Sequence, residues 1–192
     1  ELPEGRMKSR EGTVVDADDL IAELTKLAEE EIRNRADAIP GEPAAGTTEP
    51  EVLVSPAALE RAKDIALAAA KFYLLLVTPE STVTFNPKES LAFTGKTGPY
   101  IQYMHARIRS IQRKSESTGG KFDSELATLL THPVERKLLI AIAQFPDVVA
   151  TAADALDPST LAQFLYDFAK LFAEFYHDVP VLKAGDGLRS VR

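Results

Sequence analysis

The sequence has no cysteine. That excludes disulfides and thiolate metal sites, and it fits a reducing compartment. No stretch approaches the roughly 18 consecutive apolar residues that a membrane-crossing helix requires. The opening, Glu1-Leu-Pro-Glu-Gly-Arg6, has neither the layout of a signal peptide nor an initiating methionine. Histidine is scarce: His105, His132 and His177 stand at no metal-ligand spacing, so no metal site is expected. No internal repeat of roughly 20–50 residues can be found, which argues against a solenoid.

What is present describes an ordinary globular chain. Apolar residues make up 45% of the 192 positions and charged residues 27%, enough for one large domain or a domain with an appendage. The net charge of −7 argues against non-specific binding of nucleic acid by the chain as a whole. The distribution is uneven, however. Between Gly95 and Lys121, six cations face one anion, a net of +5 that leaves −12 for the remainder. A basic island on an acidic body can bind a polyanion at one place and repel it elsewhere. The alternative is a solvated charged helix face, the commoner meaning of an isolated charge run.

Helical signals dominate the chain. Asp16 or Asp18 caps a helix to about Arg35, with Leu20, Leu24, Leu27 and Ile32 on one stripe. Residues 37–50 hold three prolines and two glycines and read as a mobile connection. Ser55-Pro56 opens a second helix through 57–76, whose Phe72–Leu76 end is apolar nearly all round and reads as a central, buried helix. Residues 78–94 read as an extended excursion or short hairpin, followed by a helix over 99–115 and a polar loop over 115–120. Four more helices are expected at 123–131, 133–144, 146–156 and 158–177, the last three opened by Pro133, Pro146 and Pro158. In the last, Leu161, Phe164, Leu165, Phe168, Leu171, Phe172 and Phe175 form a core stripe, with Tyr176 at its edge. Gly187–Arg192 reads as the start of an amphipathic helix that is cut off. The fold class is an all-α helical bundle.

The densest information lies in Gly95-Lys-Thr-Gly-Pro-Tyr-Ile-Gln-Tyr-Met-His-Ala-Arg107. Gly95 and Gly98 permit backbone angles that other residues avoid, and Pro99 suits a first helical position. Tyr100, Tyr103 and Arg107 then recur at i, i+3 and i+7, beside a docking stripe of Ile101, Met104, Ile108 and Ile111. Flat aromatic faces beside a guanidinium make a stacking platform for unpaired bases. Tyr103 could instead pack between helices, and His105 reads as a hydrogen-bonded bundle residue.

These residues resemble the signature that opens the anticodon-binding helical domain of arginyl-tRNA synthetases. Phe85 to Arg107 carries the most specific part. Pro133-Val-Glu-Arg-Lys-Leu-Leu139, Phe145-Pro146, Leu165–Lys170 and Phe175–Leu182 resemble the family's C-terminal helices. Gly5-Arg-Met-Lys-Ser-Arg-Glu-Gly-Thr-Val-Val15 with Asp18-Asp-Leu20 looks like the mobile signature loop of class I synthetases and its following helix. The resemblance implies a fragment of a cytoplasmic, monomeric arginine–tRNA ligase that uses ATP and magnesium to charge arginine tRNA. It divides the chain into a catalytic-domain remnant at 1–26 and an anticodon-binding domain at 27–192 with its last helix truncated. Carried over by position, Tyr100, Tyr103, Arg107 and Tyr176 would contact the anticodon arm. Arg6, Met7, Lys8, Ser9 and Arg10 occupy the places of the family's Lys-Met-Ser-Lys-Ser loop, whose cations stabilise departing pyrophosphate. Lys8 replaces the loop's first serine, and Ser9 stands where its second lysine is expected.

No His-x-Gly-His sequence and no dinucleotide-type parallel sheet can be read, so this chain alone is expected to be inactive. Two rivals differ in class. One is the anticodon domain of a related enzyme such as cysteinyl-tRNA synthetase. The other is a helical protein-interaction module, which predicts an exposed apolar groove and no affinity for tRNA.

Overall fold

The computed structural model describes residues 16–38, 56–116 and 124–192. Every regular element in them is helical, as the all-α reading requires. The expectations for Arg6–Arg10 and for most of the 37–50 connection lie outside the described residues, as does most of the polar loop after Ser115. The chain divides into two compact units, Glu1–Pro99 and Tyr100–Arg192. None of the described helices is long and apolar enough to cross a membrane.

In the first unit, α1 (Ala17–Ala38) packs against α2 (Pro56–Leu75). Asp16 starts α1: its Oδ1 accepts the Asp18 amide at 3.1 Å, satisfying one of the helix's orphan donors. Leu24 and Ala28 of α1 meet Ala62, Ala66, Ala69 and Ala70 of α2 in a closed core that Phe85 and Leu91 complete. These small side chains bring the two backbones close together. The end of α2 departs from the sequence reading. Leu74 and Leu75 are nearly half exposed, because the buried stripe runs through the alanines and leaves the terminal leucines on the outer faces.

Residues 78–94 contain no strand, so the hairpin alternative is excluded. They hold a four-residue helix, α3 (Pro87–Ser90), capped by Asn86, whose Oδ1 accepts the Lys88 and Glu89 amides. Phe85 is buried edge-on against Tyr73, at a centroid distance of 5.0 Å. The Tyr73 hydroxyl donates to the Thr84 carbonyl at 3.0 Å, which ties this excursion to α2.

The second unit contains most of α4 (Gly98–Glu116), a 3-10 helix (Ser124–Leu129) where the sequence predicts α-helix over 123–131, α5 (Pro133–Asp154), α6 (Pro158–Asp178) and α7 (Asp186–Val191). The two helices expected at 133–144 and 146–156 are one, with Pro146 inside it. Proline removes one backbone hydrogen bond and costs about 3 kcal/mol in a helix interior. Packing against α6 carries the helix through: Phe145, next to the proline, lies 5.7 Å from Phe164. Met104, Val134, Leu138, Ala169, Phe172, Phe175, Val179 and Val181 form the core, and Phe168 and Leu171 pack partly buried against it.

The start of α5 is anchored by Glu135. Its Oε2 accepts the His132 amide at 2.8 Å as half of a capping box, and its Oε1 accepts Arg192 Nε at 2.6 Å. The carboxylate is almost fully buried, so the guanidinium both neutralises it and fastens the α7 end to α5.

Candidate nucleic-acid interface

The tyrosine helix is set up by the turn before it. Gly95 adopts φ +81°, the left-handed conformation that glycine takes without strain. Gly98 is needed for a different reason than the sequence suggests. Its φ is not in that region, but a Cβ there would overlap the Ala68 carbonyl and come within 3.0 Å of the Ala69 nitrogen. Close backbone approach, not an unusual backbone angle, demands that glycine. The buried Thr97 hydroxyl donates to the Ala92 carbonyl, and Pro99 is fully buried at the second helical position.

Along α4, Met104 is buried and Ile101, Ile108 and Ile111 pack against the same core, as the spacing predicts. Tyr100 lies nearer that stripe than Tyr103 does by helical spacing, and the structure reflects it. Tyr100 is half-buried, its ring 5.9 Å from Tyr166. Burial chiefly raises its hydroxyl pKa above the ordinary value, Tyr166 adds to the rise, and Arg107 opposes it. Tyr103, by contrast, is 40% exposed. His105 falls on the other side of the stripe and is exposed, so it is not a bundle residue.

Three of the four expected contact residues converge. The Arg107 guanidinium carbon lies 4.5 Å from the centroid of the Tyr103 ring and 4.5 Å from that of Tyr176. Arg107 Nη2 also donates to the Tyr103 hydroxyl. Tyr176 reaches the site from the last turn of α6 and is 42% exposed. It is supported from behind by Phe172, at a centroid distance of 6.2 Å. One cation against two open aromatic faces is a cation–π pairing that stays accessible to solvent. Arg113 and Lys114 in the last turn of α4 continue the positive charge, where they also complement the helix dipole.

Sequence reasoning missed the supporting residues. Phe172 and Tyr176 stand at i and i+4, so their pairing was readable on a helix. The contact of Tyr166 with Tyr100 joins two helices and has no local signal.

Residues 101–192 match the DALR anticodon binding domain model. Those residues form a DALR anticodon binding domain. The match extends upstream of the domain as well. An arginine–tRNA ligase of Treponema denticola is 47% identical over 189 residues, 96% of this chain and 30% of the relative. One from Porphyromonas gingivalis strain W83 is 41% identical, over 97% of this chain and 29% of the relative. Among solved structures, the arginyl-tRNA synthetase of Thermus thermophilus superposes with a TM-score of 0.77 at 31% identity, covering 98% of this chain and 29% of that one. The chain thus spans about 30% of the length of the curated relatives it matches. The tyrosine–arginine cluster lies within the DALR residues.

Proposed function

We propose that this chain binds the anticodon arm of arginine tRNA through Tyr103, Arg107 and Tyr176, with Tyr100 supporting the cluster from its half-buried position. The observation that carries the reading is the guanidinium shared by two exposed tyrosine rings, at 4.5 Å from each, within a DALR anticodon binding domain. Splayed loop bases would stack on the rings, at about 1–3 kcal/mol each. The cation would meet phosphate or a base edge.

The longer protein to which such a chain belongs would be a monomeric, cytoplasmic arginine–tRNA ligase that activates arginine with ATP. Residues 1–26 would be the remnant of its catalytic part and 27–192 the tRNA-binding part, the division falling inside α1. Arg6, Lys8 and Arg10, with Met7 and Ser9 between them, would hold the ATP phosphates, for which their charge is suited. Magnesium would arrive with the nucleotide. When bound, the nucleotide would supply the adenylyl group that activates the arginine carboxylate as pyrophosphate leaves. The cations of Arg6, Lys8 and Arg10 would stabilise the charge on that pyrophosphate.

The interaction-module reading keeps one favouring observation. Ile142, Phe145, Phe164, Leu165 and Phe168 line an apolar cavity of about 250 Å³ between α5 and α6. Affinity separates the two readings. Residues 1–192 should bind a tRNA with an arginine anticodon more tightly than one with a mismatched anticodon, and should catalyse no arginine-dependent ATP–pyrophosphate exchange. Equal affinity for both tRNAs, or none, would remove the anticodon reading.

A further inference from the structure

Below the tyrosine cluster, the face of α4 continues through Ser110 to Lys114 at helical spacing. There it meets the segment that leaves α6, Tyr176 to Lys183, and the two enclose a pocket of about 360 Å³. That volume is at the small end of the ~300–1,000 Å³ typical of ligand sites. Its floor is apolar and fixed, since Val179 and Val181 are buried in the core. Its rim carries two lysines from separate elements, Lys114 and Lys183, together with the Ser110 hydroxyl. Tyr176 belongs to both places: its ring faces Arg107 and it also lines this pocket.

We propose that this pocket seats a backbone phosphate and ribose of single-stranded RNA, immediately beside the nucleotide whose base stacks in the Tyr103–Arg107–Tyr176 cluster. The chemistry is a point charge on each of two flexible lysines over an apolar floor, which suits a phosphodiester better than a base edge. The assignment rests on the anticodon-arm reading above. It adds that the site has two parts: stacking on the tyrosines and charge neutralisation one nucleotide along.

The test is the affinity of the 192-residue chain for an anticodon stem–loop RNA across a salt series, for wild type, Lys114→Ala/Lys183→Ala and the control Lys26→Ala/Lys71→Ala. Single-stranded contacts contribute about 0.7 to the log–log salt slope per neutralised phosphate, so the pocket variant, which loses its contacts to one phosphate, should lose up to about 0.7 and the control nothing. A methylphosphonate at one loop phosphate should reproduce that loss in wild type and add nothing to the pocket variant. All four lysines are exposed, so unchanged melting temperatures are expected. If the pocket and control variants lose equally, or neither loses, while Tyr103→Ala still weakens binding, the pocket is overturned and the anticodon reading stands. If wild type does not bind the loop, the anticodon reading fails and the pocket falls with it.

Discussion

The core of the first unit is Leu24 with Ala28, Ala62, Ala66, Ala69 and Ala70, closed by Phe85 and Leu91, whereas that of the second is Met104, Leu138, Phe172 and Phe175 with Ala169 and three valines. Both sets bury helix faces, but they leave different surfaces. The alanines bring the two helices together, and the rings of that unit, Phe85 and Tyr73, pack on each other. Bulky cores hold helices apart on large side chains, and the aromatic stripe that fills the interior runs over the edge into solvent. Tyr176 stands four residues after Phe172, on the same stripe of α6, and Tyr103 stands beside the stripe of α4 that buries Met104. The binding surface is therefore an extension of the second unit's packing. It needs no separate scaffold, and its rings are already oriented by what lies beneath them.

This contrast predicts that the two units fail differently. The largest effect should come from Phe172→Ala, which empties a buried ring position and withdraws the support behind Tyr176. A cost of about 3–5 kcal/mol is expected for such a truncation, measured by denaturant unfolding. RNA affinity per folded molecule should fall as well, because Tyr176 loses its backing. An unfolding cost below about 1 kcal/mol would mean that the second unit does not depend on its aromatic core.

The first unit should be sensitive to additions more than to deletions. Gly98→Ala places a methyl group on the Ala68 carbonyl, against backbone that has no rotamer to give. Overpacking of this kind costs about 1–3 kcal/mol. Gly95→Ala has open space around it, so its penalty would come from the positive φ alone. Equal stability of the Gly98 variant and wild type would show that the close approach of α2 to the start of α4 can relax.

Tyr103→Ala should separate binding from folding. The ring is exposed and paired only with Arg107 among the contacts described above, so its loss should cost about 1–3 kcal/mol of RNA affinity with little change in salt dependence. Arg107→Ala should lower the salt slope by at most about one unit, since it removes one cation. If Tyr103→Ala unfolds the protein while affinity per folded molecule holds, the ring is a packing residue and the interface lies elsewhere.

How much of this could be read from the chain depends on how local each signal is. The docking stripe of α4, the caps at Asp16 and the proline starts of α5 and α6 are set within one or two turns, and all are where the sequence puts them. Pro146 misled because its helix-breaking tendency is real but smaller than the packing of α5 on α6 around Phe145 and Phe164. Leu74 and Leu75 misled because hydrophobicity says nothing about which face a partner covers. Tyr103 and Arg107 were legible as a pair on one helix. Their meeting with Tyr176, some seventy positions on, follows only from the tertiary fold, as does the Glu135–Arg192 pair. Spacing placed Tyr176 at the edge of the α6 stripe, and the resemblance to a known family supplied its role as a contact residue.

The smallest expected effect tests whether Tyr100 belongs to the core or to the binding face. Burial raises its pKa in the folded chain above the ordinary 10.0, with Tyr166 adding to the rise. A raised folded pKa means that the unfolded chain gives up this proton first as pH increases. The associated stability is therefore fully present below pH 10, the unfolded value, and is lost as pH climbs through the folded one. Tyr100→Phe keeps the ring and removes the titration. Unfolding free energies from pH 8 upward should decline less steeply in this variant than in wild type, since the remaining titrating groups are common to both proteins. If the decline in Tyr100→Phe matches that of wild type, the half-buried hydroxyl of Tyr100 is in effect solvated. Tyr100 would then stand with Tyr103 on the open face of α4, available to RNA in its own right.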